Sequence, residues 1–226
     1  MRGLKAEKGR KRSRKILTWS LLIGLAGALL AASWQNTVLG REKEELQKRL
    51  DQEIQEGIAG EIFRLHVIAN SDSKEDQELK MEVKKTVVEY LEENLGGEAG
   101  LEETRNWVLE NLPEIEEAAA KTVEELGETY PVSASVENTY FPDKTYGDCT
   151  FPAGEYEALN VRIGRGEGKN WWCVLYPSLC FIDDTWGIVT EEKKEALREV
   201  LTEEEFQKIL GDPEEKKKIR IGFKWF

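Results

Sequence analysis

The sequence predicts an α+β fold, an antiparallel sheet of about five strands with helices packed on it, preceded by an N-terminal apolar segment and an amphipathic helix. Two periodicities and a set of stop signals lead there. Apolar residues recur at helical spacing through Leu79, Val83, Val87, Leu91 and Leu95, and again through Ile115, Ala119, Thr122 and Leu126. Past Pro131 the period becomes two, with Val132, Ala134 and Val136, then Leu159, Val161 and Ile163, alternating with polar residues as in half-buried strands. Glycine and proline punctuate the boundaries, and Thr190 and Thr202 each stand where a helix would start.

The chain has 226 residues and a net charge of −12. The first 15 residues carry eight Lys/Arg and only Glu7, a local charge of +7 that leaves −19 on the remainder. A body that negative repels polyphosphate, so a nucleic-acid-binding surface is excluded. Residues 1–15 read as a basic cytoplasmic n-region. Residues 16–33 follow as a signal peptide or transmembrane anchor: Ile16 to Ala32 is an uncharged run of 17 residues, ending in the small residues Ala31, Ala32 and Ser33. Basic residues stay on the cytoplasmic side, so everything after the run is expected to be exported, with the membrane engaged through this segment. Residues 34–60 form an amphipathic helical linker, with Leu46, Leu50, Ile54 and Ile58 in one stripe. Residues 61–226 form the extracytoplasmic α+β domain.

Within that domain, Ile62 to Ile68 reads as a strand apolar on both faces and therefore central. Ser73 and Asp76 resemble a capping box for the next helix, which Gly96-Gly97 would end. Leu101 to Leu126 is helical but interrupted at Pro113, a residue suited to restarting a helix in its first turn. Phe141 to Gly154 is a long connection. Trp171 to Leu175 is a short strand whose adjacent tryptophans face opposite sides. Thr190 opens one further helix, and Thr202 with Glu205 caps another that Gly211 and Asp212-Pro213 close. Alternation from Ile219 to Phe226 predicts a last strand.

Candidate chemistry concentrates between Tyr146 and Asp183. Cys173 and Cys180 flank a Tyr176-Pro177-Ser178 turn, and in an exported domain a bridge across it is sterically feasible. Two buried free thiols explain the same pair. Cysteine and histidine spacing matches no zinc pattern, so no metal is expected. His66, the only histidine, fits a hydrogen-bonded core or sheet-edge role, or a cysteine/histidine-dependent hydrolase with Cys173 or Cys149. The glycines at 164, 166 and 168 do not make a Walker A loop, whose spacing they lack, and read as a flexible hairpin. No cofactor or small-molecule ligand is predicted. An outward aromatic beside the Pro177 turn is the sort of anchor that protein recognition uses.

Three separated segments carry a resemblance. They are Arg64 to Ser73 (RLHVIANSDS) with Glu75-Asp76-Gln77, then Tyr146-Gly-Asp148 with Phe151 to Leu159, then Asn170 to Phe181. Together they resemble the stage II sporulation protein R family of endospore-forming bacteria. The resemblance implies an exported, non-catalytic signalling protein made in the forespore. It would act in the space between forespore and mother-cell membranes, anchored or released by signal-peptide cleavage. Its implied partner is the membrane-embedded aspartic protease stage II sporulation protein GA, which processes the sigma E precursor. Residues expected to meet that partner are Asn70, Asp72, Tyr146, Asp148, Trp172, Tyr176 and Pro177, with the Asn70–Ser73 turn placed beside the Pro177 turn.

Overall fold

A computed structural model of the chain describes residues 2–95, 99–178 and 189–210, with side chains from residue 19 onward except 22, 23 and 26. Cys180, the Gly96-Gly97 and Gly211 to Pro213 stop signals and the strand expected at 219–226 lie outside the described residues. The chain divides into two units, 1–52 and 53–226. Helix α1 runs from Arg2 to Glu61. Among the described residues no helix is long and apolar enough to cross a membrane, and part of the 16–33 run has no described side chains. Of the predicted stripe on α1, Leu46 and Leu50 are exposed, whereas Ile58 is fully buried and Ile54 packs beside it.

The domain is α+β, built on β1 (Phe63–Ile68), all six residues of which are buried. β2 (Val132–Phe141), β5 (Gly154–Ile163) and β6 (Asn170–Tyr176) complete a four-stranded sheet in the order β2-β5-β1-β6. The expected central place of β1 is observed; the expected wholly antiparallel pairing is not. β6 and β2 run antiparallel to their neighbours, but β1 and β5 are parallel. Topology forces this. Helices α2 (Lys74–Asn94), α3 (Leu101–Glu110) and α4 (Leu112–Glu125) bring the chain back to the end where β1 stopped. β2 descends from there, and β5 must rise beside β1. The connection between them holds a separate two-stranded hairpin, β3 (Lys144–Tyr146) and β4 (Cys149–Phe151), turned at Gly147 with φ of 58°.

The sheet is buried on both faces. Phe63, Leu65 and Val67 point with Leu159, Val161 and Cys173 into a core roofed by Leu79, Val83, Val87 and Leu91 of α2 and Ile115, Ala119 and Val123 of α4. Each such side chain contributes about 1.5–3 kcal/mol of burial free energy. On the other face, the end of α1, the β3–β4 hairpin, α5 (Glu191–Val200) and α6 (Glu203–Leu210) close a second core around Ile58, Phe141, Phe151 and Phe206. Trp171 packs against the first core and Trp172 against the second, as adjacent strand positions require.

The predicted caps are present. Ser73 Oγ accepts from Asp76 N at 3.1 Å, and Thr190 Oγ1 from Lys193 N at 3.4 Å. Thr202 and Glu205 exchange backbone-to-side-chain bonds of 2.8 and 3.4 Å, a full capping box. Pro113 lies in the first turn of α4. The expected inner face of α4 is corrected at its end. From Ala119 the buried row continues to Val123; Thr122 donates to Thr86 on α2, and Leu126 is the C-cap residue, 52% exposed. Accordingly Ile115→Ala should lower the unfolding free energy by about 3 kcal/mol, and Leu126→Ala by less than about 0.5 kcal/mol. Urea unfolding followed by circular dichroism distinguishes them, and equal losses would contradict this packing.

Candidate recognition site

Two polar side chains sit on the second face of β1. Arg64 is fully buried. Its Nε donates to the Cys173 carbonyl at 2.8 Å and one terminal nitrogen to the Tyr146 hydroxyl at 3.2 Å. The guanidinium lies over the rings of Phe141, Tyr156 and Phe151, at 4.2, 4.9 and 5.4 Å from their centroids. Its other terminal nitrogen has no hydrogen-bond partner among the described residues. The charge is met by carbonyl, phenol and aromatic faces, and desolvated cation–π contacts contribute about 2 kcal/mol each at the favourable end. Tyr146 extends the chain of bonds by donating to the Trp172 carbonyl at 2.8 Å, so the hairpin is tied to both β1 and β6.

His66, two residues along, stacks on Trp172 with centroids 4.0 Å apart and planes 9° from parallel. Its Nδ1 faces Asn160 Oδ1 at 2.7 Å, which places the proton on Nδ1 and leaves Nε2 a bare acceptor without a described partner. Burial pushes its pKa below the usual value, against the raising effect of the Asn160 bond. The histidine is a hydrogen-bonded core residue. Register separates it from Cys173: Leu65 is opposite Cys173 and His66 opposite Trp172, so His66 and Cys173 project from opposite faces of the sheet. Cys149 and Cys173 are both buried and neither forms a disulfide among the described residues. The Cys173 thiol approaches the Val174 carbonyl at 3.7 Å.

Asp148, at the hairpin turn, is ion-paired with Lys194 of α5 at 2.7 Å. Burial raises the Asp148 pKa, but the hydrogen bond and charge of Lys194 together with backbone hydrogen bonds outweigh it and hold the carboxyl below its usual range. Hydrogen bonds to Asp148 and then Glu191 push Lys194 up to about 12.

The Asn70–Ser73 turn occupies the end of the sheet where β1 stops. Asn70 Nδ2 and Ser71 Oγ both donate to Asp76 Oδ2, at 2.9 and 2.5 Å. Those bonds overcome burial and keep Asp76 ionised, with its pKa lowered. Asn70 Oδ1 accepts from Arg165 N at 3.0 Å, and Asp72 Oδ1 from Lys169 N at 2.7 Å. The β5–β6 loop is therefore strapped to this turn. Its glycines are not a flexible hairpin as expected: Gly164 has φ of 58°, and a Cβ on Gly168 would collide with the Ser71 carbonyl.

Tyr176 and buried Pro177 lie at the other end of the sheet, since Phe63 pairs with Tyr176 and Ile68 with Asn170. They floor a groove of about 880 Å³ between α2 and α5. Burial, followed by the charges of Glu61 and Glu199, raises the Tyr176 phenol pKa. The seven expected recognition residues thus fall in three places. Tyr146, Asp148 and Trp172 belong to the second-face cluster, Tyr176 and Pro177 to the groove, and Asn70 and Asp72 to the far turn, away from the Pro177 turn they were expected to adjoin. Arg64, Asn160, Phe141 and Lys194 were not singled out. An arginine two residues before a histidine in a strand with no other polar residue was the available signal for the first.

The family model described as stage II sporulation protein R matches residues 59–186. The chain is 37% identical over 184 residues to the stage II sporulation protein R of Bacillus subtilis (strain 168), covering 80% of this chain and 81% of that protein. No solved structure matches.

As the only histidine, His66 gives an isolated pH signature. Its folded pKa is depressed, so between about pH 6.5 and that lower value the unfolded chain binds a proton that the folded chain refuses. Stability is present above about pH 6.5 and is lost as pH falls, by at most about 1.4 kcal/mol per pH unit. Urea midpoints at several pH values should show this slope in the wild type and not in His66→Gln; the same slope in both would contradict the assignment. The Lys194–Asp148 pair acts at the extremes. Its stability is lost as pH falls through the depressed Asp148 pKa or rises toward about 12. Lys194→Met should cost roughly 0.5 kcal/mol at pH 7, with a shallower acid limb in the stability curve.

Proposed function

Given that the chain belongs to the stage II sporulation protein R family, and so to sporulation, we propose that it is a non-catalytic signalling ligand. It is exported into the space between forespore and mother-cell membranes, where it activates the membrane-embedded aspartic protease stage II sporulation protein GA, and sigma E precursor processing follows. The basic n-region and the uncharged run after it support export. So do the exposed Leu21, Leu25, Leu29 and Leu30 on α1, with Trp19 and Trp34 at either end, where tryptophans of membrane segments meet the interface.

One observation carries the non-catalytic reading. The rival, a cysteine/histidine hydrolase, needs a thiol within hydrogen-bond reach of His66. Cys173 projects from the opposite face of the sheet, so its thiol cannot reach either ring nitrogen of His66. Cys149 is buried, with its sulfur 3.9 Å from Asp148 Oδ1. Recognition by a partner protein uses no such pair and calls on no cofactor.

The test is a deletion strain carrying a sigma E reporter, complemented with variants whose accumulation is checked. The deletion should silence the reporter and the wild-type gene restore it. A gene lacking residues 1–33 should not, while His66→Gln, Cys149→Ser and Cys173→Ser should each restore it. Sigma E activity unaffected by deletion would sink the signalling role. A folded His66→Gln protein that fails to signal would revive the hydrolase.

A further inference from the structure

β6 is an edge strand in the order β2-β5-β1-β6, and among the described residues nothing pairs with its outer edge. The 880 Å³ groove lies along its end. Leu91 and Leu95 of α2 wall it on the side of the first core, Val200 of α5 on the side of the second, with Leu175 to Ser178 as floor. The groove therefore straddles the plane of the sheet, the shape left when a strand is missing between two helical layers. Its rim is acidic, with Glu92, Glu192 and Glu199 against one cation, Lys193.

The chain supplies a segment of matching chemistry. Residues 216–226 read KKKIRIGFKWF, with five cations, no acid, and apolar residues at 219, 221, 223 and 225 in strand alternation. The segment follows α6, which ends at Leu210 and is joined through Leu201 and Thr202 to α5, the wall of the groove. Five residues, 211–215, link Leu210 to this segment and span about 17–18 Å when extended. We propose that residues 216–226 dock in this groove within the same chain. They lie extended along the free edge of β6, with an apolar row against Leu91, Leu95 and Val200 and the cations on the Glu92, Glu192 and Glu199 rim. The tail then protects an edge that otherwise invites strand addition. This inference does not depend on the signalling role.

Zero-length carbodiimide cross-linking tests it on the full chain in detergent, using a mixture of isotope-labelled and unlabelled protein. Lys194 and Asp148, 2.7 Å apart, supply an internal standard. The expected links join Lys216, Lys217, Lys218 or Lys224 to Glu92, Glu192 or Glu199 within one chain. They should fall about tenfold against the standard in a Phe223→Asp/Trp225→Asp variant, which keeps every lysine. Three results would overturn the proposal: no tail-to-groove links while the standard forms, links only between labelled and unlabelled chains, or links that persist in the variant. The second would make another copy's tail the occupant, and the third would reduce the links to random encounters.

Discussion

The second face of this fold depends on the burial of one guanidinium. Arg64 stands in a central strand with no solvent exposure, and a desolvated charge costs several kcal/mol unless its surroundings answer it. Here the answer is assembled from four parts of the fold. β6 gives the Cys173 carbonyl, the β3–β4 hairpin gives Tyr146 and Phe151, and Phe141 and Tyr156 come from β2 and β5. None of these elements can leave without exposing or orphaning the charge. The hairpin, too short to be stable alone, is held because it completes that shell.

The same strand then separates structure from recognition. Where β1 ends, Asn70, Ser71, Asp72 and Asp76 spend their hydrogen-bonding capacity on one another and on the β5–β6 loop. That turn is a strap, and its polar residues are committed inward. At the opposite end the sheet opens into the groove beside Pro177, where carboxylates surround an apolar floor. Between them, His66 is kept neutral by burial and held flat against Trp172, so the middle of the face is rigid. A scaffold held this rigidly suits a protein that works by being bound.

Much of this was legible in the sequence, and the failures have physical causes. The apolar run at 62–68 identified β1 as central, and two adjacent tryptophans had to divide between the cores. Ser73, Thr190, Thr202 and Pro113 marked helix starts because capping is local chemistry. Pairing is not local: nothing in β1 or β5 announces that they run parallel, since that follows from where three helices deliver β2. Arg64 was hidden by its neighbours, because alternation places it on a face whose aromatic lining comes from positions 77 to 92 residues away. The glycines at 164 and 168 looked like flexibility because the turn that presses on them lies about a hundred residues earlier. At Leu126 the helical period continued on paper, but the helix ended one residue before it.

The most direct measurement is a double-mutant cycle between Arg64 and Tyr146, using Arg64→Met and Tyr146→Phe with unfolding free energies from urea titration. If the buried guanidinium binds the hairpin to the sheet, the two losses are non-additive, with a coupling energy of about 1 kcal/mol or more, as for a hydrogen bond to a buried charge. Additivity within about 0.3 kcal/mol would contradict it and show that the hairpin is held by apolar packing alone.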